Sequence, residues 1–130
     1  MESKNVKLVV FVPISHTDKV IEESRDALEK AGAFVPKSPV DQVREALAKA
    51  GAGKMGNYDS CSFSSKGVGR FRGNENSHPA IGEPGKLEMV EEERIEVLVP
   101  RTILKEVIKA MKAAHPYEEV AFDIYPVESF

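Results

Sequence analysis

Leu104-Lys-Glu-Val-Ile-Lys-Ala-Met-Lys-Ala-Ala-His-Pro-Tyr-Glu-Glu-Val-Ala-Phe-Asp-Ile-Tyr-Pro-Val127 is the stretch that decides the fold. Ile103, Leu104, Val107, Ile108, Met111 and Ala114 recur at three and four residues and form one apolar helical stripe, with Thr102 placed to cap its start. The helix must stop near His115, because Pro116 disfavours helical geometry in the residue before it. Val120–Val127 then reads as a strand, which Pro126 confines to an edge or a strand end. A helix that feeds directly into such a strand is half of a split β-α-β unit, and its partner strands lie upstream.

Two of them are plain. Val6–Val12 is a run of β-branched and aromatic residues stopped by Pro13, the pattern of a strand buried on both faces. Ile95, Val97 and Val99 alternate with Glu96 and Leu98 in a strand that ends at Pro100, and the acidic run Glu91–Glu93 reads as a solvated approach to it. Between these strands, Ser15 to Gly32 carries a cap, an apolar face at Val20, Ile21, Ser24, Ala27, Leu28 and Ala31, and a glycine stop. A second helix follows: Ser38 caps it, Pro39 opens it, Val40, Val43, Leu47 and Ala50 share a face, and Gly51 ends it. The two are near-duplicates, since Phe34–Ala52 repeats Phe11–Ala33 with four fewer residues in the middle. Both stripes suit the same slot against a sheet.

Tyr58, Cys61 and Phe63 mix with Ser and Asp over Asn57–Ser65 in a strand-like pattern, and Val68–Arg72 is placed to be its hairpin partner across Ser65-Lys-Gly67. Gly73–Gly85, rich in Gly, Pro, Asn and Ser, is an exposed excursion. The expected class is α+β: a ferredoxin-like antiparallel sheet with helices on one face, plus one extra helix and a hairpin extension, in a single domain over 1–130.

Composition excludes several functions. The chain has 42% apolar and 30% charged residues and lacks the run of about 18 apolar residues that a membrane span needs. Its single cysteine, Cys61, offers neither a disulfide nor a metal pair, and the N-terminus shows no export signal, so a cytoplasmic protein is expected. A net charge of -3 argues against a broad nucleic-acid surface. Gly51-Ala-Gly-Lys-Met-Gly56 lacks the Lys-Ser/Thr ending of a phosphate loop and is expected only to turn the chain. Lys66-Gly-Val-Gly-Arg-Phe71 lacks the aromatics on which bases stack. No Ser/His/Asp or Cys/His pairing can be assembled from spacing.

His115-Pro-Tyr-Glu-Glu119 after an amphipathic helix resembles the His-Pro-Tyr-Glu segment of CutA proteins. Phe11-Val-Pro, Val43-Arg-Glu-Ala-Leu, Gly56-Asn-Tyr58, Cys61-Ser-Phe-Ser64, Gly67-Val-Gly-Arg-Phe71, Pro79-Ala-Ile-Gly82 and Ala121-Phe-Asp-Ile-Tyr-Pro126 are similar, in order, to the CutA/PII-like domain inserted in bacterial Nif3 family proteins. The chain departs from that pattern at about residues 21–43, where an extra helix and strand stub lie. The resemblance implies a CutA/PII-like sheet that assembles as a homo-oligomer, with a trimer favoured over a dimer and clefts between subunits. It does not bring the dinuclear metal site of the larger Nif3 proteins, which lies on a domain absent from these residues, so catalysis by this chain is not expected.

The expected activity is that of a ligand-binding or regulatory module that holds a metal ion or small anion at an intersubunit cleft, with a structural or assembly module, or a partner domain of a Nif3-type metal hydrolase, as the alternatives. Tyr58, Arg70, Arg72 and Tyr117 are the candidate ligand-binding residues. Arg70 and Arg72 project to the same side of a strand and suit a phosphate or carboxylate, or else form a basic edge that discourages aggregation. His115 and Glu118 are the candidate ligands for a divalent metal ion, against the simpler reading in which the imidazole complements the helix C-terminus and the carboxylates are solvated or pair across a subunit boundary.

Overall fold

The computed structural model describes residues 3–14, 30–32 and 38–129. The elements run β1 (Asn5–Pro13), α1 (Pro39–Lys49), β2 (Phe63–Phe71), β3 (Glu88–Pro100), a 3-10 turn (Arg101–Ile103), α2 (Leu104–Ala114) and β4 (Phe122–Val127). The four strands form one sheet in the order β2-β3-β1-β4, every neighbour antiparallel. That is the order of a split β-α-β pair. The predicted helix over Ser15–Gly32 lies outside the described residues apart from its last three. The second near-duplicate packs on the sheet as α1.

Local chemistry accounts for the α1 ends. Ser38 Oγ accepts a hydrogen bond from Asp41 N–H at 3.1 Å, Pro39 opens the first turn, and Gly51, at φ +105°, takes the left-handed turn that follows. Thr102 does not cap α2. The 3-10 turn occupies that position, tied back to the N-terminus by Arg101 N–H on Lys4 O at 2.8 Å and Arg101 Nε on Ser3 O at 2.8 Å.

The core lies between one face of the sheet and the two helices. Val6, Leu8, Val10 and Val12 alternate inward from β1 and Ile95, Val97 and Val99 from β3, against Val40, Val43 and Leu47 of α1 and Val107 and Met111 of α2. Period-two alternation in the strands and 3.6-residue periodicity in the helices therefore meet on one surface. Val9, on the opposite face, is also fully buried.

Two sequence expectations give way. The turn placed at Ser65-Lys-Gly67 is absent: Phe63–Phe71 is one continuous strand, because each of its residues pairs with Glu88–Glu96 of β3, and that ladder outweighs the turn-like composition. The hairpin extension is instead the far end of the β2–β3 ribbon. There β1 stops at its pairing with Glu92, and Glu88–Glu91 pair only with Val68–Phe71. Glu91–Glu93 is part of β3 rather than an approach to it, and of the three only Glu91 is exposed. Glu93 continues the inward register of Ile95 and Val97, is 7% exposed, and receives Arg44 Nη1 from α1 at 2.9 Å. Arg44 Nη2 also bonds Asp41, so one guanidinium joins the first turn of α1 to the buried carboxylate.

Candidate functional site

Where β1 ends, the overhanging ribbon leaves a gap that the Tyr117–Ala121 segment and the Gly73–Ala80 part of the excursion close. The result is a cleft of about 350 Å³ whose lining includes Gly69, Arg70, Phe71, Arg72, Glu92 and Tyr117. Its walls are fixed by polar contacts to backbone. Arg72 Nε donates to Gly85 O at 3.1 Å and Gly85 N–H to Gly73 O at 2.7 Å, which closes the base of the excursion. His78 N–H donates to Glu118 Oε1 at 2.7 Å, which docks the excursion onto the segment after α2.

His115 sets the far wall. The chain leaves α2 at His115 in extended geometry, and the imidazole is 7% exposed. Nε2 lies 2.7 Å from Phe11 O, and Nδ1 accepts the Tyr117 N–H at 3.1 Å, which selects the neutral tautomer protonated on Nε2. Burial lowers its pKa below 6.5, against the opposing pull of the Phe11 bond. The imidazolium suggested by the helix C-terminus is therefore not what the site favours. The ring instead pins the turn through Pro116 to the end of β1.

Tyr117, so placed, packs edge-on against Phe71 with ring centroids 5.8 Å apart. Its hydroxyl is buried without a hydrogen-bond partner among the described residues, and burial followed by the negative charge of Glu92 pushes its pKa up to about 12. Glu92 is half-buried, and burial raises its carboxyl above 4.5. Its carboxylate lies over bare strand: a Cβ on Gly69 would overlap it.

The structure thus gathers Arg70, Arg72, Tyr117 and Glu118 around one cleft, with His115 behind Tyr117. Tyr58 is not there. It is 76% exposed in the turn Met55–Tyr58, beside Gly53, whose N–H donates to Leu98 O at 2.8 Å. Leu98 is six positions along β3 from Glu92, about 20 Å away. Gly53 itself turns the chain at φ +80°, with a Cβ there overlapping the Cys61 carbonyl, as expected of a turn rather than a phosphate loop. His115 and Glu118 each already bind a backbone group, and among the described residues no cluster of three or more His, Cys, Asp or Glu is placed to hold a metal ion. Glu92 and Phe71 are the members that sequence reasoning missed. Period-two counting back from Ile95 flags Glu93 as inward, but nothing local shows that Tyr117 will arrive beside Glu92.

Among the described residues no helix is long and apolar enough to cross a membrane. No family model matches the chain. A Bacillus subtilis protein named GTP cyclohydrolase 1 type 2 homolog is 47% identical over 124 residues, which cover 95% of this chain and 33% of that protein. The protein of that name from Halalkalibacterium halodurans is 50% identical over 102 residues, 78% of this chain and 27% of its own length. The crystal structure of a Bacillus cereus protein related to NIF3 superposes with a TM-score of 0.70 at 40% identity, over 99% of this chain and 27% of that one. CutA from Xylella fastidiosa shares the fold, with a TM-score of 0.52 at 18% identity over 98% of this chain and 88% of its own. The chain spans about a third of the length of the curated relatives it matches. With sheet order, motif order and these identities in agreement, the chain belongs to the Nif3 family, as its CutA/PII-like domain.

Proposed function

We propose that this domain is a small ligand-binding or regulatory module that holds an anion-bearing small molecule in the cleft between the β2–β3 overhang and Tyr117–Ala121. The observation that carries this reading is Arg70: exposed, without a hydrogen bond or ion pair among the described residues, and lining a concave space next to Phe71. Small-molecule sites are typically clefts of roughly 300–1,000 Å³ with apolar walls and a few polar groups, and the guanidinium fork suits phosphate or carboxylate. A divalent cation at His115 and Glu118 would have to displace the backbone bonds that both now make, so the geometry favours the anion. The name of the relatives makes nucleotides and other phosphorylated metabolites the first compounds to test. No catalytic step is assigned to these residues.

The test is a thermal-shift series on the chain and on Arg70→Ala. A ligand at about one hundred times its Kd adds roughly 2.7 kcal/mol to stability, a rise easily read in a domain of this size. An upward shift with a phosphorylated or carboxylate compound, lost in Arg70→Ala, supports the reading. Unchanged melting with all such compounds at millimolar concentration sinks it.

Assembly is the second reading, favoured by the edge position of β2 and by Phe63 and Val68, which are 66% and 51% exposed. A homo-oligomer, trimer in preference to dimer, would bury them and bring a neighbour close to the cleft. Light scattering should then give a multiple of 14.3 kDa that falls to the monomer in Val68→Lys. A monomeric wild-type mass removes this reading.

A further inference from the structure

Glu92 stands between two hollows. With Gly69 it lines both the cleft and an adjoining space of about 240 Å³ walled by Phe11, Ser65, Lys66 and Arg94. Its cross-strand neighbour is Gly67, so β2 presents no side chain beside it, and the carboxylate lies against backbone where a Cβ at Gly69 would collide with it. Two glycines one pleat apart thus leave room for this carboxylate. No donor takes it up among the described residues. Arg94, two residues along the same strand, pairs with Glu96 at 3.4 Å, and the Tyr117 hydroxyl, close enough to feel the charge of Glu92, makes no hydrogen bond to it. A half-buried carboxylate without a donor is costly, and the raised pKa of Glu92 expresses that cost.

Resting on the ligand-binding reading above, we infer that Glu92 is a specificity-determining residue of the cleft, accepting an N–H or ammonium donor from a ligand whose phosphate or carboxylate is held by Arg70. The ligand class is a nitrogen base or amine joined to an anionic group, as in a nucleotide or an amino phosphate. Gly69 acts on recognition through Glu92, as a positioning residue. An anion alone would satisfy Arg70 and leave Glu92 unpaired, whereas a ligand of mixed character satisfies both in one cavity.

The experiment is titration calorimetry with the four ribonucleoside 5′-monophosphates, O-phosphoethanolamine and inorganic phosphate. The proteins are the wild type, Glu92→Gln, Gly69→Ala and Arg70→Ala, each checked for wild-type circular dichroism. At least one nitrogen-bearing phosphate should bind ten-fold or more tightly than inorganic phosphate. Glu92→Gln and Gly69→Ala should each weaken that compound roughly ten-fold without weakening inorganic phosphate. Should every compound bind no better than inorganic phosphate, or should Glu92→Gln leave the preference intact, the role of Glu92 is overturned while Arg70-dependent binding keeps the cleft. Absence of binding by every probe overturns the cleft as well.

Discussion

Under the two helices the sheet is sealed: Leu8, Leu47, Ile95 and Met111 have essentially no exposure, whereas on the overhang of β2 and β3 Val68, Leu87 and Met89 are each more than half exposed. The same strands pass through both regions. What changes is the support. The covered half is held by apolar burial, which is additive and indifferent to exact geometry. The overhang is a two-stranded ribbon, marginal by itself, and is held by point contacts: Arg72 on Gly85, His78 on Glu118, and His115 between Phe11 and Tyr117. Polar contacts of that kind fix a few atoms and leave space between them, which is why the cleft forms there and not under the helices.

Stability measurements can break this contrast. The largest effect is expected for Leu47→Ala, a cavity in the sealed half, which should cost about 2–5 kcal/mol in urea denaturation, while Val68→Ala on the ribbon should stay within about 0.5 kcal/mol. Similar losses at the two positions would mean that the ribbon is packed after all. Next comes Arg44→Ala, which strands the buried Glu93 carboxylate and should lower stability by roughly 1–3 kcal/mol. A loss no greater than that of an ordinary surface substitution would show that Glu93 reaches water.

A smaller effect, carried by pH, probes the hinge between the two regions. The folded pKa of His115 is lowered, so the folded state binds fewer protons than the unfolded chain as pH falls below about 6.5. The stability it contributes is therefore fully present above 6.5 and is lost as pH falls toward the folded pKa, where a protonated Nδ1 can no longer accept the Tyr117 N–H. Melting curves between pH 7.5 and 5.5 should decline more steeply for the wild type than for His115→Gln, and parallel curves would refute the buried neutral imidazole. No loss at all is expected at Tyr117→Phe. Removal of a buried hydroxyl that has no partner among the described residues should be neutral or stabilising by up to about 1 kcal/mol, and a clear loss of stability would reveal a partner for it.

The legible part of the fold follows the same division. Val6–Val12, the alternation of Ile95, Val97 and Val99, and the α2 stripe each carry a strong period, and each element was found, although β3 begins at Glu88, seven residues before Ile95. The errors cluster on the ribbon. Ser65-Lys-Gly67 has the composition of a turn, but its backbone groups are taken by β3, and pairing partners lie more than twenty positions away. Of the candidate site residues, Arg70, Arg72, Tyr117 and Glu118 come together at one cleft, while Tyr58 lies at the other end of β3.

Local periodicity, capping chemistry and the Pro116 break were sufficient to set the types of β1, α1, α2 and β4 and the α+β class, because those depend on neighbours two to four positions apart. That the second near-duplicate packs on the sheet, that Glu93 is buried against Arg44, and that Glu92 and Tyr117 meet across a gap left by Gly69 were settled only in three dimensions. Each of those requires segments distant in the chain to be brought together, and a single position carries no trace of the charge, ring or empty space that folding will place beside it.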